Sequence, residues 1–203
     1  GDVTVTIAGD TQASVTNTPP LQLTFTAANW NTPQLVTVTA VDDAVVEGTH
    51  NGSVTFAVSS TDSNYNGFSV SPVSVSITDN DNANVSITQS GGSTDVTEGG
   101  TTDDFIVVLT SQPTGDVTIT LTGTQVTTNS TPLTFTSANW NTPQFVTVTA
   151  IDDAVAESLH SGSVTFAVSS ADTNYNNLVV PALSVSITDN DTASISVTPS
   201  TFQ

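Results

Sequence analysis

The sequence predicts an all-β protein built of tandem Ig-like antiparallel β-sandwiches joined end to end. Two observations carry this. Apolar and polar residues alternate with a period of two in short runs, bounded by Gly, Asn, Asp and Pro, which is the pattern of half-buried strands and their turns. The chain also repeats itself. Ala28-Asn29-Trp30-Asn31-Thr32-Pro33-Gln34 recurs 110 residues later as Ala138-Asn139-Trp140-Asn141-Thr142-Pro143-Gln144. Asp42-Asp43, Tyr65 and Asp79-Asn80-Asp81 recur as Asp152-Asp153, Tyr175 and Asp189-Asn190-Asp191 at the same spacing. One repeat is therefore about a domain long.

With Asp81 and Asp191 as repeat ends, residues 82–191 form one complete copy. Residues 1–81 form a copy lacking its first strands, because Gly1-Asp2-Val3 matches Gly115-Asp116-Val117. Residues 192–203 read as the first strand of a further copy, and Gly1 opens mid-pattern with no charged-then-apolar leader. So few residues separate the last strand of one copy from the first of the next that a stiff junction is expected rather than a linker.

Within the complete copy each strand can be justified in turn. Val85 and Ile87 share a face, as do Phe105, Val107 and Leu109, and then Val117, Ile119 and Leu121, with Gly115-Asp116 as the intervening turn. Leu133 and Phe135 follow. Val146 and Val148 oppose Thr147 and Thr149. After an acidic loop, Val164, Phe166 and Val168 alternate with small and polar residues, and Leu183, Val185 and Ile187 close the copy. Seven or so half-apolar strands at this spacing make a two-sheet sandwich, with outer faces of Thr and Ser, which favour strands without carrying charge.

Composition narrows the function. The 203 residues include no Lys, Arg, Cys or Met, and 19 acidic residues give a formal charge of −19. Nucleic acid and anionic membrane surfaces need basic partners, so both are unfavoured, while divalent cations are favoured. No apolar run approaches the roughly 18 residues that span a bilayer. Disulfides, thiolate metal sites and Lys-Asn isopeptide crosslinks are excluded by the residues themselves. Sequons start at Asn51, Asn84, Asn129 and Asn190, matches that a chain this rich in Asn, Ser and Thr produces by chance.

Three acidic groups in the complete copy stand just past strand-like runs: Glu98, Asp152-Asp153-Ala154-Val155-Ala156-Glu157, and Asp189-Asn190-Asp191. A sandwich can bring all three to one end. Carboxylates converging in a chain without Lys or Arg repel one another unless a cation sits among them, and hard oxygen donors in that number suit Ca²⁺. The competing reading is that Asp-Asp and Asp-Asn-Asp are turn residues that accept backbone N–H bonds.

This arrangement resembles the Calx-beta repeat, a calcium-binding sandwich of exchangers and large bacterial surface proteins, over essentially the whole chain. The resemblance implies a Ca²⁺ ligand set of Glu98, Asp152, Asp153, Glu157, Asp189 and Asp191 in the second copy. In the first it implies Asp42, Asp43, Glu47, Asp79 and Asp81, with no counterpart of Glu98. Asn80 and Asn190 interrupt the C-terminal acidic run, which implies one or two ions rather than several. Neither loop fits an EF-hand, since Asp189 to Ser194 has no ligand at its fifth position and no Gly at its sixth.

Trp30 and Trp140 are read as plugs at the end of a core, with sugar stacking as the alternative if they are exposed. Tyr65 and Tyr175 carry the same two readings. His50 and His160, three residues after Glu47 and Glu157, are read as exposed loop histidines, with a mixed Glu/His metal site as the alternative. With no thiol, no Lys and two His in equivalent loops, catalysis is not expected. The expected function is a Ca²⁺-rigidified structural repeat of an extracellular or cell-surface adhesin, filament or matrix protein. Its expected partners are Ca²⁺ and neighbouring repeats or copies of itself. A head-to-tail fibre with residues 192–203 as donor strand is a variant of this. The alternative is a carbohydrate-binding or enzyme-accessory module.

Overall fold

A computed structural model describes residues 1–16 and 21–198. Strand makes up 46 % of it and no α-helix occurs among the described residues, so the protein is an all-β, Ig-like sandwich fold. The chain separates into two compact units, Gly1–Asp81 and Asn82–Gln203. Among the described residues no helix is long and apolar enough to cross a membrane, which says nothing about crossing with strands.

Unit 1 contains β1 (Val3–Gly9), β2 (Ala13–Val15), β3 (Leu21–Phe25), β4 (Val38–Ala40), β5 (His50–Ser60) and β6 (Val73–Ile77). One antiparallel sheet has the order β3-β1-β5-β6, and β2 pairs with β4. Its core is small: Ile7, Val15 and Val54 are buried, with Val5, Leu21, Leu23, Val36, Phe56 and Val75 packed half-buried around them.

Unit 2 contains β7 (Val85–Gln89), β8 (Asp95–Thr97), β9 (Asp103–Leu109), β10 (Val117–Thr124), β11 (Val126–Thr128), β12 (Leu133–Phe135), β13 (Gln144–Ala150), β14 (His160–Ser170) and β15 (Leu183–Thr188). Its two sheets run β12-β10-β14-β15-β8 and β11-β13-β9-β7. The inward faces are those the alternation marks: Phe105, Val107, Leu109, Val117, Ile119, Val146, Val148, Val164, Val185 and Ile187 are all buried. Phe105 of one sheet meets Phe166 of the other edge to face, ring centres 5.9 Å apart, the arrangement that aligns a positive ring edge with a negative face.

The units differ because residues 1–81 hold no counterpart of β7, β8 and β9. In unit 2, β9 pairs along β13 and Val148 is fully buried. Its counterpart Val38 is 37 % exposed, on a strand shortened to three residues. Hydrophobic alternation alone does not bury a face; a second layer must cover it. Residues 192–198 are likewise not a strand, and Ile195 and Val197 are exposed. Their sequence counterpart β7 is held by β9, and no strand pairs with 192–198 among the described residues. Residues 199–203 of the expected donor lie outside the described residues.

Candidate metal centre

Three chain connections deliver acidic groups to one end of unit 2. Strand β8 runs parallel to β15, with Val96 opposite Ile187 and Thr97 opposite Thr188. Both strands therefore stop at the same level, and Glu98 emerges beside Asp189, its N–H donating to Thr188 O at 3.0 Å. Strand β14 starts at His160, opposite Ile187, which sets the end of the acidic loop 152–157 at that level too. Gly99 turns the chain away at φ +58; a Cβ there would lie 2.8 Å from Asn190 Nδ2 and 3.2 Å from Asp152 Oδ2. Glycine is required by both the left-handed backbone and the close approach.

Two groups of donor atoms result, each with its atoms within 4.8 Å of one another: Glu98 with Asp189 and Asp191, and Glu98 with Glu157 and His160. Glu98 belongs to both. It is 2 % exposed, and its Oε2, like Oδ2 of Asp191, is buried with no hydrogen-bond partner among the described residues. Burial, then the neighbouring charges of Asp189 and Asp153, raise the Glu98 carboxyl above the ordinary range; His160 opposes this and Glu157 adds to it. Asp191 is raised by burial and then by Asp189, Asp152 and Asp153. Buried carboxylates with unused lone pairs and like-charged neighbours are the donor set that a hard cation stabilises.

Other expected ligands do structural work as well. Asp189 accepts the N–H groups of Asp191 (2.8 Å), Glu157 (2.6 Å) and Ser158 (3.0 Å), tying the acidic loop to the end of β15. Those bonds, that of Asp191 foremost, hold its carboxyl below the ordinary range. Asp153 accepts Val155 N–H at 2.7 Å. Asn190 donates to Glu98 O at 2.8 Å and to Asp152 Oδ1 at 3.1 Å. Asp152 and Asp153 thus stand beside the two compact donor groups and contribute charge to them; each carboxylate already takes part in a turn or tie.

Unit 1 repeats the arrangement without Glu98. Asp42, Asp43, Glu47, His50, Asp79 and Asp81 line one cleft of about 60 Å³. Asp79 accepts from Glu47, Gly48 and Asp81 at 2.8–2.9 Å as Asp189 does. Asp81 is raised by burial and then by Asp79, Asp42 and Asp43.

Both histidines were expected in exposed loops, and both instead open strands β5 and β14 half-buried. The ring of His160 faces Glu98 Oε1 at 3.4 Å and Glu157 Oε2 at 3.5 Å. The spacing Glu-X-X-His was the one signal for this. The tryptophans also diverge. Trp140 packs against the core of unit 2, whereas Trp30 is 70 % exposed. Tyr175 is fully buried and its counterpart Tyr65 is 52 % exposed. The difference lies in residues 109–114, which in unit 2 lie against these two aromatic residues: Leu109 N–H donates to Trp140 O, and Ser111 is hydrogen-bonded to Tyr175 Oη.

No protein-family model matches the sequence, and no curated protein matches it. Among solved structures, the chain is similar to the apo form of the Calx CBD1 domain at 18 % identity and a TM-score of 0.36, over 53 % of this chain and 98 % of that one. It is similar to the D0-D1 domain of intimin at 12 % identity and a TM-score of 0.33, over 91 % and 80 %. It is also similar to the periplasmic chaperone SfaE at 10 % identity and a TM-score of 0.38, over 53 % of this chain and 57 % of that one. At these scores none of the likenesses bears on function, and the sandwich assignment rests on the sheets themselves.

Proposed function

We propose that the protein is a calcium-binding structural repeat, of Calx-beta kind, from an extracellular adhesin, filament or matrix protein, without enzymatic activity. The observation that supports this most is Glu98: a carboxylate 2 % exposed, with an unpartnered oxygen, grouped with Asp189 and Asp191 in a chain that has no Lys or Arg. Ca²⁺ held there by Glu98, Asp189 and Asp191, with Asp152, Asp153 and Glu157 around them, clamps the ends of β8 and β15 and the loop before β14. In unit 1 the cleft of Asp42, Asp43, Glu47, Asp79 and Asp81 takes the ion more weakly, because no residue of 1–81 supplies the place of Glu98. Because Asp81 is followed in sequence by the chain leading to β7, an ion in unit 1 also restrains that passage. Calcium titration calorimetry on the wild type and Glu98→Gln tests this: a tight site lost in the variant is expected, and equal heats in both overturn it.

A second reading is favoured by the open side of unit 1. Val3, Phe25, Trp30 and Tyr65 line a cavity of about 410 Å³, at the place that residues 109–114 cover in unit 2. An apolar strand from another copy of the repeat fits this chemistry; residues 192–198, the counterpart of β7 rather than of residues 109–114, carry exposed Ile195 and Val197. Head-to-tail association through that strand yields a fibre. Sedimentation of the chain with and without residues 192–203 tests it. Concentration-dependent oligomers that vanish on truncation are expected, and a monomer at all concentrations overturns it. Retention on a glycan array, abolished by Trp30→Ala, would favour a carbohydrate-binding module instead.

A further inference from the structure

We propose that Glu98, Glu157 and His160 form a nitrogen-containing cation site that takes a borderline transition ion of the Zn²⁺ class, separate in its donor chemistry from the all-oxygen group. The orientation of the imidazole is the starting point. His160 Nδ1 lies 3.1 Å from the carbonyl oxygen of Ser158. A carbonyl only accepts, so Nδ1 carries the proton and the lone pair of the neutral ring is on Nε2. That lone pair faces Glu98 Oε1 at 3.4 Å and Glu157 Oε2 at 3.5 Å. A ring N–H fixed on a backbone carbonyl, with the other nitrogen turned to open donors, is the outer-shell arrangement of metal-ligating histidines.

The distances are longer than a direct charge-assisted bond and leave room for an ion. Charge-assisted N–H···O contacts close to about 2.7–2.9 Å. Ligand atoms at tetrahedral angles around an ion with bonds of about 2.0–2.1 Å stand about 3.3–3.4 Å apart. Glu98 adds to this: it is 2 % exposed, the oxygen that faces His160 is Oε1, and its other oxygen, Oε2, has no partner among the described residues, so the buried carboxylate has donor capacity left for a cation. Nitrogen is a poor partner for Ca²⁺, which takes oxygen, whereas imidazole with two carboxylates and an open position suits Zn²⁺.

The backbone spends conformational energy on this orientation. Ser158 is held at φ +70, which only a small fraction of non-glycine residues adopt, and it is this residue whose carbonyl receives Nδ1. Unit 1 repeats the device with Gly48 at φ +65, His50 Nδ1 at 2.9 Å from Gly48 O, and Nε2 at 3.4 Å from Glu47 Oε2. It has no counterpart of Glu98, so its two donors form an incomplete site.

The proposal shares Glu98 and Glu157 with the calcium reading and does not depend on it. The test is Zn²⁺ titration calorimetry and Co²⁺ absorption on the whole chelator-treated chain, each with and without saturating Ca²⁺, for wild type, His160→Gln, Glu157→Gln and His50→Gln. One Zn²⁺ per chain is expected, with tetrahedral-type Co²⁺ bands. His160→Gln and Glu157→Gln should each weaken Zn²⁺ binding at least about tenfold, a scale that even outer-shell partners reach, while His50→Gln does not. Ca²⁺ affinity in His160→Gln should stay within about twofold, since oxygen donors hold that ion. Absent Zn²⁺ binding, which is also the result if His160 serves only as a protonated counter-ion, overturns the proposal. So does Zn²⁺ binding indifferent to His160, or equal loss of both ions in His160→Gln. His160-dependent Zn²⁺ binding in a chain that ignores Ca²⁺ would overturn the calcium reading alone.

Discussion

Substituting the same residue in both units measures what the covering segment contributes. In unit 2 the Tyr175 hydroxyl donates to Ser111 O at 2.8 Å and accepts from Ser111 N–H at 3.1 Å and from Ser111 Oγ at 2.7 Å. Both residues are fully buried. Tyr175→Phe keeps the ring and removes all three bonds, leaving a buried N–H and a buried carbonyl without this partner. At about 1–3 kcal/mol per orphaned group the cost for the two is about 2–6 kcal/mol, a fall in the melting midpoint of unit 2 of roughly 10–30 °C. Tyr65→Phe, at a half-exposed residue with no Ser111 counterpart in residues 1–81, should change unit 1 by less than about 0.5 kcal/mol. Single-tryptophan backgrounds separate the two readings: Trp30→Phe leaves Trp140 to report unit 2, and Trp140→Phe leaves Trp30 to report unit 1. Equal shifts in the two units, or a loss below about 1 kcal/mol for Tyr175→Phe, would refute the role given to residues 109–114.

Calcium at 100 times its dissociation constant adds about 2.7 kcal/mol, so EGTA should lower the midpoint of unit 2 by about 10 °C or more; Asp152→Asn/Asp153→Asn protein, with its weakened site, should show a much smaller effect. In metal-free protein the raised carboxyls of Glu98 and Asp191 stabilise fully below the ordinary carboxylate range and lose that contribution as pH rises through their folded values. Melting without ions should therefore improve as pH falls toward the ordinary carboxylate range, and with Ca²⁺ it should worsen, because protons compete for the same oxygens; identical slopes would contradict this. At Asp172, burial acts to raise the carboxyl, but the N–H groups of Thr114 and Asn174 outweigh it and hold it low. Its stabilisation is present above about pH 3.9 and lost below that as pH falls through the depressed value, so Asp172→Asn should flatten the acid limb of a calorimetric pH series. Iodide should quench Trp30, 70 % exposed, several-fold more than Trp140, and similar quenching constants would contradict the open face of unit 1.

The period-two runs made most of unit 2 legible from sequence. Val146 and Val148, Phe105 and Val107, and Leu183 to Ile187 face inward as their alternation requires. Strands β8 and β11 were not legible, because each has a single apolar residue, Val96 or Val126, where the equally short β12 has Leu133 and Phe135 to mark its inward face, and β8 exists through its parallel pairing with β15. Carboxylate convergence could be read because Glu98, Glu157 and Asp189 each follow or precede a strand end. The direction of the histidine rings could not, since it depends on the left-handed backbone at Ser158 and Gly48, which sequence does not announce for serine. Trp30 and Tyr65 were read as core because aromatics at such strand ends and turns usually plug a sandwich, and that inference fails for a physical reason: burial belongs to the pair of layers and not to the residue.

The two units thus form an internal control. Val38 and Val148, Trp30 and Trp140, and Tyr65 and Tyr175 are identical residues in equivalent turns and strands, and each pair differs in exposure in the same direction. What changes between them is the chain segment of β7, β8, β9 and residues 109–114, which places β7 and β9 in one sheet and β8 at the edge of the other. That same segment carries Glu98, so covering the core and completing the metal centre go together. A repeat whose first three strands are in place gains a closed core and the buried carboxylate together, and one without them has neither. Ion affinity then reports the integrity of the sandwich, and any segment that closes unit 1 must bring a carboxylate to the position of Glu98 if the unit is to hold Ca²⁺ as tightly as unit 2.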